Sequence, residues 1–368
     1  MTTQPAPLLK DALNAKAMAL IGHAAVQAEP SFNLRGFVAL ACRGLAPLSI
    51  MQRMNHAADS LQAYLPSDYP RALQIVRRMA PHLPGGFVAM VLPAWVGRHG
   101  LDHLPLSLEA LQALTPYSTS EFALRGFLAR DPDCVLAWAQ RWAEDDNAHV
   151  RRLASEGLRP RLPWAPRLSW LSAAPHRVQP VLERLHADPS AYVRRSVAPP
   201  LNDIRKAHPD WVLDLLERWP RQQTETQRIT RHALRNLVKA GHPRALPLVG
   251  ATLGAEVALT RFSVAPATLC LGQTLQLTVT LTSTADHTQH VVVDYAIHYV
   301  KQSGETRRKV FKLRTLALPS RAELSLRKNQ TVTDFTTRIH YPGQHRVELL
   351  VNGQVMAEGH FDLKRPRP

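Results

Sequence analysis

Two short runs place arginines where a helix would set them side by side. Ala148-His149-Val150-Arg151-Arg152 is matched 43 residues later by Ala191-Tyr192-Val193-Arg194-Arg195. Each follows an acidic turn, Asp145-Asp146-Asn147 or Asp188-Pro189-Ser190, whose short polar side chains can cap a helix start. Paired cations at a repeated spacing suit a ligand of repeated negative charge, such as a phosphate backbone. On a helix through 148–157, Val150, Leu153, Ala154 and Gly157 share one side, while His149, Arg152 and Glu156 stand three and four apart on another. Two explanations are open. Either the arginines line a common surface and meet phosphates, or each is tied to the capping aspartate of a neighbouring repeat and Glu156 is the i,i+4 partner of Arg152.

The elements that must carry these residues are helical hairpins. A weaker third copy sets Ile229, Arg231 and Leu237 in the places of Val193, Arg195 and Leu201. A second echo links Phe32-Asn33-Leu34-Arg35-Gly36-Phe37 with Phe122-Ala123-Leu124-Arg125-Gly126-Phe127. Recurrence at about 36–43 residues predicts HEAT-like repeats stacked into a solenoid with a concave face. Near residue 255 the apolar spacing changes to period two. Leu275-Gln276-Leu277-Thr278-Val279-Thr280-Leu281 alternates, as does 291–299, and strand-like runs follow at 310–318, 324–333, 336–341 and 345–351. Ser303-Gly304, Pro342-Gly343 and Asn352-Gly353 are turns between them. The pattern predicts a β-sandwich, without the Cys…Trp…Cys core of antibody domains. The expected organisation is therefore an all-α HEAT-like-repeat domain at 1–255 and an immunoglobulin-like β-sandwich at 256–368.

Composition narrows the partner. The 368 residues carry 45 Lys plus Arg against 29 Asp plus Glu, a formal charge of +16. Both parts share it, with 30 basic against 21 acidic residues through Glu256 and 15 against 8 beyond. Nucleic acid is the first expectation for so basic a chain. Cys42, Cys134 and Cys270 are far apart, with no CxxC pair, and the 17 histidines contain no HExxH, so neither a disulfide scaffold nor a zinc site is expected. The N-terminal apolar positions are interrupted by Lys10, Asp11, Lys16 and His23, unlike a signal peptide, and no run reaches the roughly 18 uncharged apolar residues of a membrane span. A cytoplasmic monomer without metal or organic cofactor is the expectation.

At this point the chain resembles a known family. The stretch Val150-Arg151-Arg152-Leu153-Ala154-Ser155-Glu156-Gly157-Leu158-Arg159-Pro160-Arg161-Leu162-Pro163-Trp164 is similar to AlkC-type DNA glycosylases. So is Asp188-Pro189-Ser190-Ala191-Tyr192-Val193-Arg194-Arg195-Ser196-Val197-Ala198, continuing into Leu201-Asn202-Asp203-Ile204 and His208-Pro209, with Thr230-Arg231-His232-Ala233-Leu234-Arg235 as a third block. The resemblance is specific over roughly 118–240 and weak over 1–110. The helical part followed by an immunoglobulin-like part is similar to the AlkC branch of the AlkC/AlkD family; AlkD-like members lack the second part. The resemblance implies an enzyme that cuts the N-glycosidic bond of cationic N-alkylated bases (3-methylcytosine, 1-methyladenine, 3-methyladenine) in double-stranded DNA, without drawing the lesion into a deep base pocket.

The resemblance also implies roles. Glu156 and Asp203 are expected as the electrostatic and water-activating carboxylates, Glu121 as a supporting carboxylate and Trp164 as the aromatic that contacts the lesion. An alkylated base leaves already cationic, so the need is to stabilise an oxocarbenium-like sugar and to position water. A Trp face attracts such cations. Each has an alternative: Glu121 as a first-turn acid after Ser118 or Ser120, Asp203 as a cap after Pro199-Pro200, Trp164 as packing in a proline-rich loop. Pro199-Pro200 departs from the polar sequence of relatives and is expected to break or kink its helix. Arg152, Arg159 and Arg161 are candidates for phosphate contacts, with Arg195, Arg231, His232 and Arg235 beside them. Lys301, Arg307, Arg308, Lys309 and Lys312 around Ser303-Gly304 would clamp DNA from the β-domain, or simply keep a hairpin edge charged. No lysine falls within 118–205, so no Schiff-base amine is offered there and a monofunctional hydrolysis is expected. The competing expectations are a protein-binding HEAT scaffold and a DNA-binding lesion sensor that does not cut.

Overall fold

The computed structural model describes residues 8–220, 223–335 and 338–365. Among these residues α-helices run from Ala15–Ala28 to Ala245–Leu248, and eight β-strands follow. Short polar residues start the helices as capping chemistry dictates. Asn33 accepts from the Gly36 N–H, Asp68 from Arg71, Asp131 from Cys134 and Asn147 from His149, each filling a donor that the first helical turn leaves open. Pro70 and Pro132 lie in first turns, where a missing N–H costs nothing.

The chain packs as two compact units, Met1–Val212 and Leu213–Pro368. In the first, helices stack on near neighbours: Ala15–Ala28 on Tyr69–Met79, Ile50–Gln62 on Val91–His99, and Ala148–Glu156 on Ala191–Ile204. This is the HEAT-like-repeat arrangement that the recurring motifs predict. Phe37, Trp95, Phe127 and Trp142 are fully buried between them. Both indoles donate to a glutamine, Trp95 to Gln62 and Trp142 to Gln112, so the buried N–H groups stay paired.

The helix Ala191–Ile204 runs on through Pro199 and Pro200. The predicted break is therefore absent. Two ladder hydrogen bonds are forfeited, but Val193, Val197, Leu201 and Ile204 are fully buried, and that packing holds the helix together.

The second unit joins the last helices to an immunoglobulin-like β-sandwich. One sheet has the order β1-β3-β6 (Val257–Ala265, Thr274–Ser283, Glu323–Thr331). The other has β2-β8-β7-β4-β5 (Thr268–Cys270, Gln354–Lys364, Gly343–Val351, Gln289–Val300, Thr306–Leu318). All pairs are antiparallel except β2 with β8. Alternate residues Val291, Val293, Tyr295, Ile297 and Tyr299 of β4 face the core between the sheets. The intervening Val292, Asp294, Ala296 and His298 are buried too, so β4 is covered on both faces, and its sequence alternation does not mean a solvent-facing side. The helix Thr224–Lys239 contributes to that cover, with Lys239 donating to the Val310 carbonyl at 2.7 Å. The strand expected at 336–341 does not form over its described part: Thr336 and Thr337 lie outside the described residues, and 338–341 make one isolated bridge, Arg338 to Phe335.

Candidate active site

The helix Ala148–Glu156 brings the first carboxylate into place. Asn147 caps it, and Gly157 follows it where a Cβ would stand 2.5 Å from Leu124 Cδ1. That close approach lets the Glu156 end lie against the helix Leu124–Arg130. Glu121 stands in the turn ahead of that second helix, three residues before it begins. It does not act as a first-turn acid; its carboxylate reaches across to Arg152. Ser118 and Ser120 donate to the Gly86 and Leu111 carbonyls instead of capping. Asp203 lies in the last turn of Ala191–Ile204, not at a helix start.

These placements bring the three acids into one buried ionic cluster. Glu121, Glu156 and Asp203 are 5%, 8% and 4% exposed. Carboxylates so buried need cations and hydrogen bonds. Arg152 supplies both nitrogens of its fork to Glu121 at 3.3 Å each, plus a bond to Thr119 at 3.2 Å. Arg159 bridges the other two, with Nη1 2.9 Å from Glu156 and Nε 3.2 Å from Asp203. The i,i+4 pair of Arg152 with Glu156 does not form. Glu156 pairs instead at i,i+3 with Arg159, because Arg152 is drawn to the neighbouring repeat. Lys206 Nζ stands 3.8 Å from Asp203. Burial alone would lower the Arg152 pKa, but Glu121, with Tyr192 and Glu156 beside it, more than offsets that and holds it above its usual range.

Arg125 is the member that sequence reasoning missed. It is 6% exposed and donates Nη2 to the Arg159 carbonyl at 2.6 Å. Its Nε and Nη1 have no hydrogen-bond partner among the described residues. Burial and the nearby Arg159 press its pKa down to about 10, against the pull of Asp203, Glu121 and Glu156. The available signal was the Phe-x-Leu-Arg-Gly-Phe echo, but its other copy puts Arg35 in solvent.

Beside the cluster, Phe87, Tyr117, His149, Arg152 and Tyr192 line a recess of about 310 Å3. The Arg152 guanidinium lies 5.5 Å from the Tyr192 ring centre. Phe87 faces Trp164 at 6.4 Å between ring centres. Trp164 is 59% exposed, so it is not loop packing, and its φ of 64° is a strained, left-handed conformation for a large side chain. It borders a second recess of about 210 Å3 shared with Met51, Met54 and Phe122. Arg161 is half-buried nearby in sequence, and Arg195 is exposed with its Nε on its own helix's Ala191 carbonyl.

The second unit carries the remaining basic candidates. Arg231 and Arg235 are exposed on Thr224–Lys239 and border a small recess with Lys239 and Lys312. On the β4–β5 hairpin, Lys301 pairs with Glu305 at 2.9 Å and Arg308 with the buried Glu348 at 2.7 Å, while Lys309 lies over the Phe311 ring. Arg307 is exposed and makes no ion pair among the described residues. With Tyr299 and Arg338 these cations line a cleft of about 400 Å3. Among the described residues no group of three His, Cys, Asp or Glu could hold a metal ion, and no helix is long and apolar enough to cross a membrane.

Comparison with known proteins places this arrangement. Residues 258–365 match the family described as the C-terminal immunoglobulin-like domain of uncharacterised protein YhaZ. Bacillus subtilis YhaZ is 37% identical over 348 residues, 94% of this chain and 97% of its own. The structure of Pseudomonas fluorescens alkylpurine DNA glycosylase AlkC, bound to DNA containing an abasic site analog, superposes with a TM-score of 0.94 at 46% identity, covering 97% of this chain and all of that one. The helical-repeat unit with its arginine-paired carboxylates, the immunoglobulin-like sandwich that follows it in the sequence and these near-full-length likenesses agree: the chain belongs to the AlkC branch of the AlkC/AlkD family.

Proposed function

We propose that this chain is a monofunctional alkylation-repair DNA glycosylase that releases cationic N-alkylated bases, 3-methylcytosine, 1-methyladenine and 3-methyladenine, from duplex DNA. The carrying observation is the cluster of three buried carboxylates, each held by an arginine, one of which, Arg152, also lines an aromatic recess. The C1′–N bond breaks and its electron pair neutralises the departing cationic base, so no strong general acid is required. Glu156 and Asp203 stabilise the electron-poor sugar carbon. Water adds to C1′ and gives its proton to one of these carboxylates. Glu121 is the supporting carboxylate, holding Arg152 at the wall of the recess, and the exposed face of Trp164 meets the lesion.

Arg152, Arg159, Arg161 and Arg195 would take phosphates, with Arg231 and Arg235. Arg152 and Arg159 must then share themselves between phosphate and carboxylate. The β-sandwich would add Lys301, Arg307 and Lys309 as a clamp, with Arg308 committed to Glu348, completing a division of labour between a glycosylase domain at 1–255 and an immunoglobulin-like domain at 256–368. Hydrolysis without a Schiff base is the proposed route. Lys206, 3.8 Å from Asp203, is the amine to check.

The decisive experiment incubates the protein with alkylated duplex DNA and measures released bases for wild type, Glu156→Gln and Asp203→Asn. Release by wild type, with a loss of about 10²–10³-fold in variants that still bind DNA, is expected. A folded, DNA-binding wild type that releases none of the three bases would leave a lesion sensor. Borohydride trapping should give no covalent DNA adduct; an adduct lost on Lys206→Ala would make the enzyme bifunctional.

A further inference from the structure

We infer that Arg125 is a positioning residue of this site: a buried cation that balances the charge of the three carboxylates and fixes Arg159 between two of them. The inference rests on the proposed catalytic role of those carboxylates for its effect on rate, but not for its effect on the cluster itself.

The charges of the buried cluster make the case. Glu121, Glu156 and Asp203 bring three negative charges, and Arg152 and Arg159 bring two positive ones. Arg125 is the third. Lys206 reaches Asp203 only at 3.8 Å and from a largely exposed position, where solvent screens it. Without Arg125 the cluster would hold one uncompensated buried negative charge, and buried carboxylates relieve such a charge by taking up a proton. A protonated carboxyl can neither stabilise an oxocarbenium ion nor accept the proton of water.

Position adds a second argument. The groups facing Arg125 come from four segments: Glu121 from the preceding turn, Glu156 from Ala148–Glu156, Arg159 from the loop after it and Asp203 from Ala191–Ile204. Among the described residues its one side-chain bond, from Nη2, goes to the backbone of Arg159, the residue that bridges Glu156 and Asp203. The other nitrogens lie buried and unbonded, a costly state. A side chain wanted only for packing would be met more cheaply by Leu or Met. The guanidinium is kept against that cost where three acids converge.

The test uses the full chain and has two arms. The first is a thermal-unfolding cycle without DNA over wild type, Arg125→Met, Asp203→Asn and the double variant. Arg125→Met is expected to lower the melting temperature by about 5 °C, and Asp203→Asn to restore part of that loss, because it removes the unbalanced charge. If Arg125→Met alone does not fold, a folded double variant is the same rescue. Additive losses, or a double variant no better than Arg125→Met, would overturn the inference.

The second arm is single-turnover excision against pH. Arg125→Met is expected to move the acid limb upward by about one pH unit, with DNA affinity kept and Arg125→Lys restoring the limb. A folded Arg125→Met with an unmoved limb, or a uniform loss at every pH that Arg125→Lys does not restore, would equally overturn it. Should the wild type release no base, the unfolding cycle still decides the place of Arg125, and only the glycosylase reading falls.

Discussion

The two Val-Arg-Arg repeats begin alike and end differently. In both, the first arginine serves its own turn. Arg151 forks onto Asp188 at 2.7 and 3.1 Å and bonds the Asp145 and Asp146 carbonyls; Arg194 bonds the Asp188 and Pro189 carbonyls. The second arginines part company. Arg152 turns to Glu121 and Tyr192, whereas Arg195 stays exposed beside Ala191. The acids differ as well: the first repeat places Glu156 in its helix's last turn, the second runs five residues longer and places Asp203 there. One repeat unit thus supplies a structural arginine twice and a site arginine once.

The largest effect that would break this comparison is on stability. Arg151→Ala leaves Asp188, 3% exposed in its side chain, without its cation, and is expected to cost about 3 kcal/mol. Thermal unfolding reads it, and Arg194→Ala should act in the same direction. Excision per folded molecule is expected to be unchanged in both. A rate loss as large as that of a carboxylate variant would place these first arginines in the site after all.

Second in size is the contrast between Arg152 and Arg195. Arg152→Ala strands Glu121 and opens the recess wall, so single-turnover excision is expected to fall roughly 10–100-fold, the equivalent of about 1.4–2.8 kcal/mol. Arg195→Ala is expected to spare the excision step and weaken DNA binding a few-fold, with the salt dependence of log K shallower by about 0.9. Equal effects on both steps from both variants would erase the distinction.

The helix positions were legible in sequence because the caps and apolar stripe act locally. The pairing of each arginine was not. Val150-Arg151-Arg152 offers two adjacent guanidiniums, and only contacts 31 and 37 residues away send one to Glu121 and the other to Asp188. Arg125 was hidden for the same reason, since Arg35 occupies the matching place in an equivalent motif and meets water. Five strands followed from alternation, whereas β1, β2 and β8 did not. β1 has its register shifted between Leu259 and Arg261, which breaks the two-residue period, and β2 is only three residues long. β8 carries Gly359, where a Cβ would meet Val264 at 2.8 Å, so close packing of β1 replaced an apolar side chain. The double proline misled because local geometry opposes a helix that buried packing enforces.

The smallest effect separates two adjacent arginines on the β4–β5 hairpin, and it repeats the repeat comparison in another fold. Arg308 is spoken for: Glu348, buried in the sheet, takes its Nε, and also takes His298 at 2.7 Å and Arg346 at 3.2 Å. Losing one of three partners to a shared carboxylate should cost under about 1 kcal/mol and leave DNA binding nearly unchanged. Arg307 has no such obligation and is expected to meet phosphate. Arg307→Ala should weaken affinity a few-fold and reduce the salt slope by about 0.9, with melting unchanged. Point variants are the right tool, because residues 213–368 pack as one unit and removing 257–368 would cut through it. If Arg307→Ala binds like wild type at every salt concentration, the hairpin's charge only guards a sheet edge, and the clamp is not built from this turn.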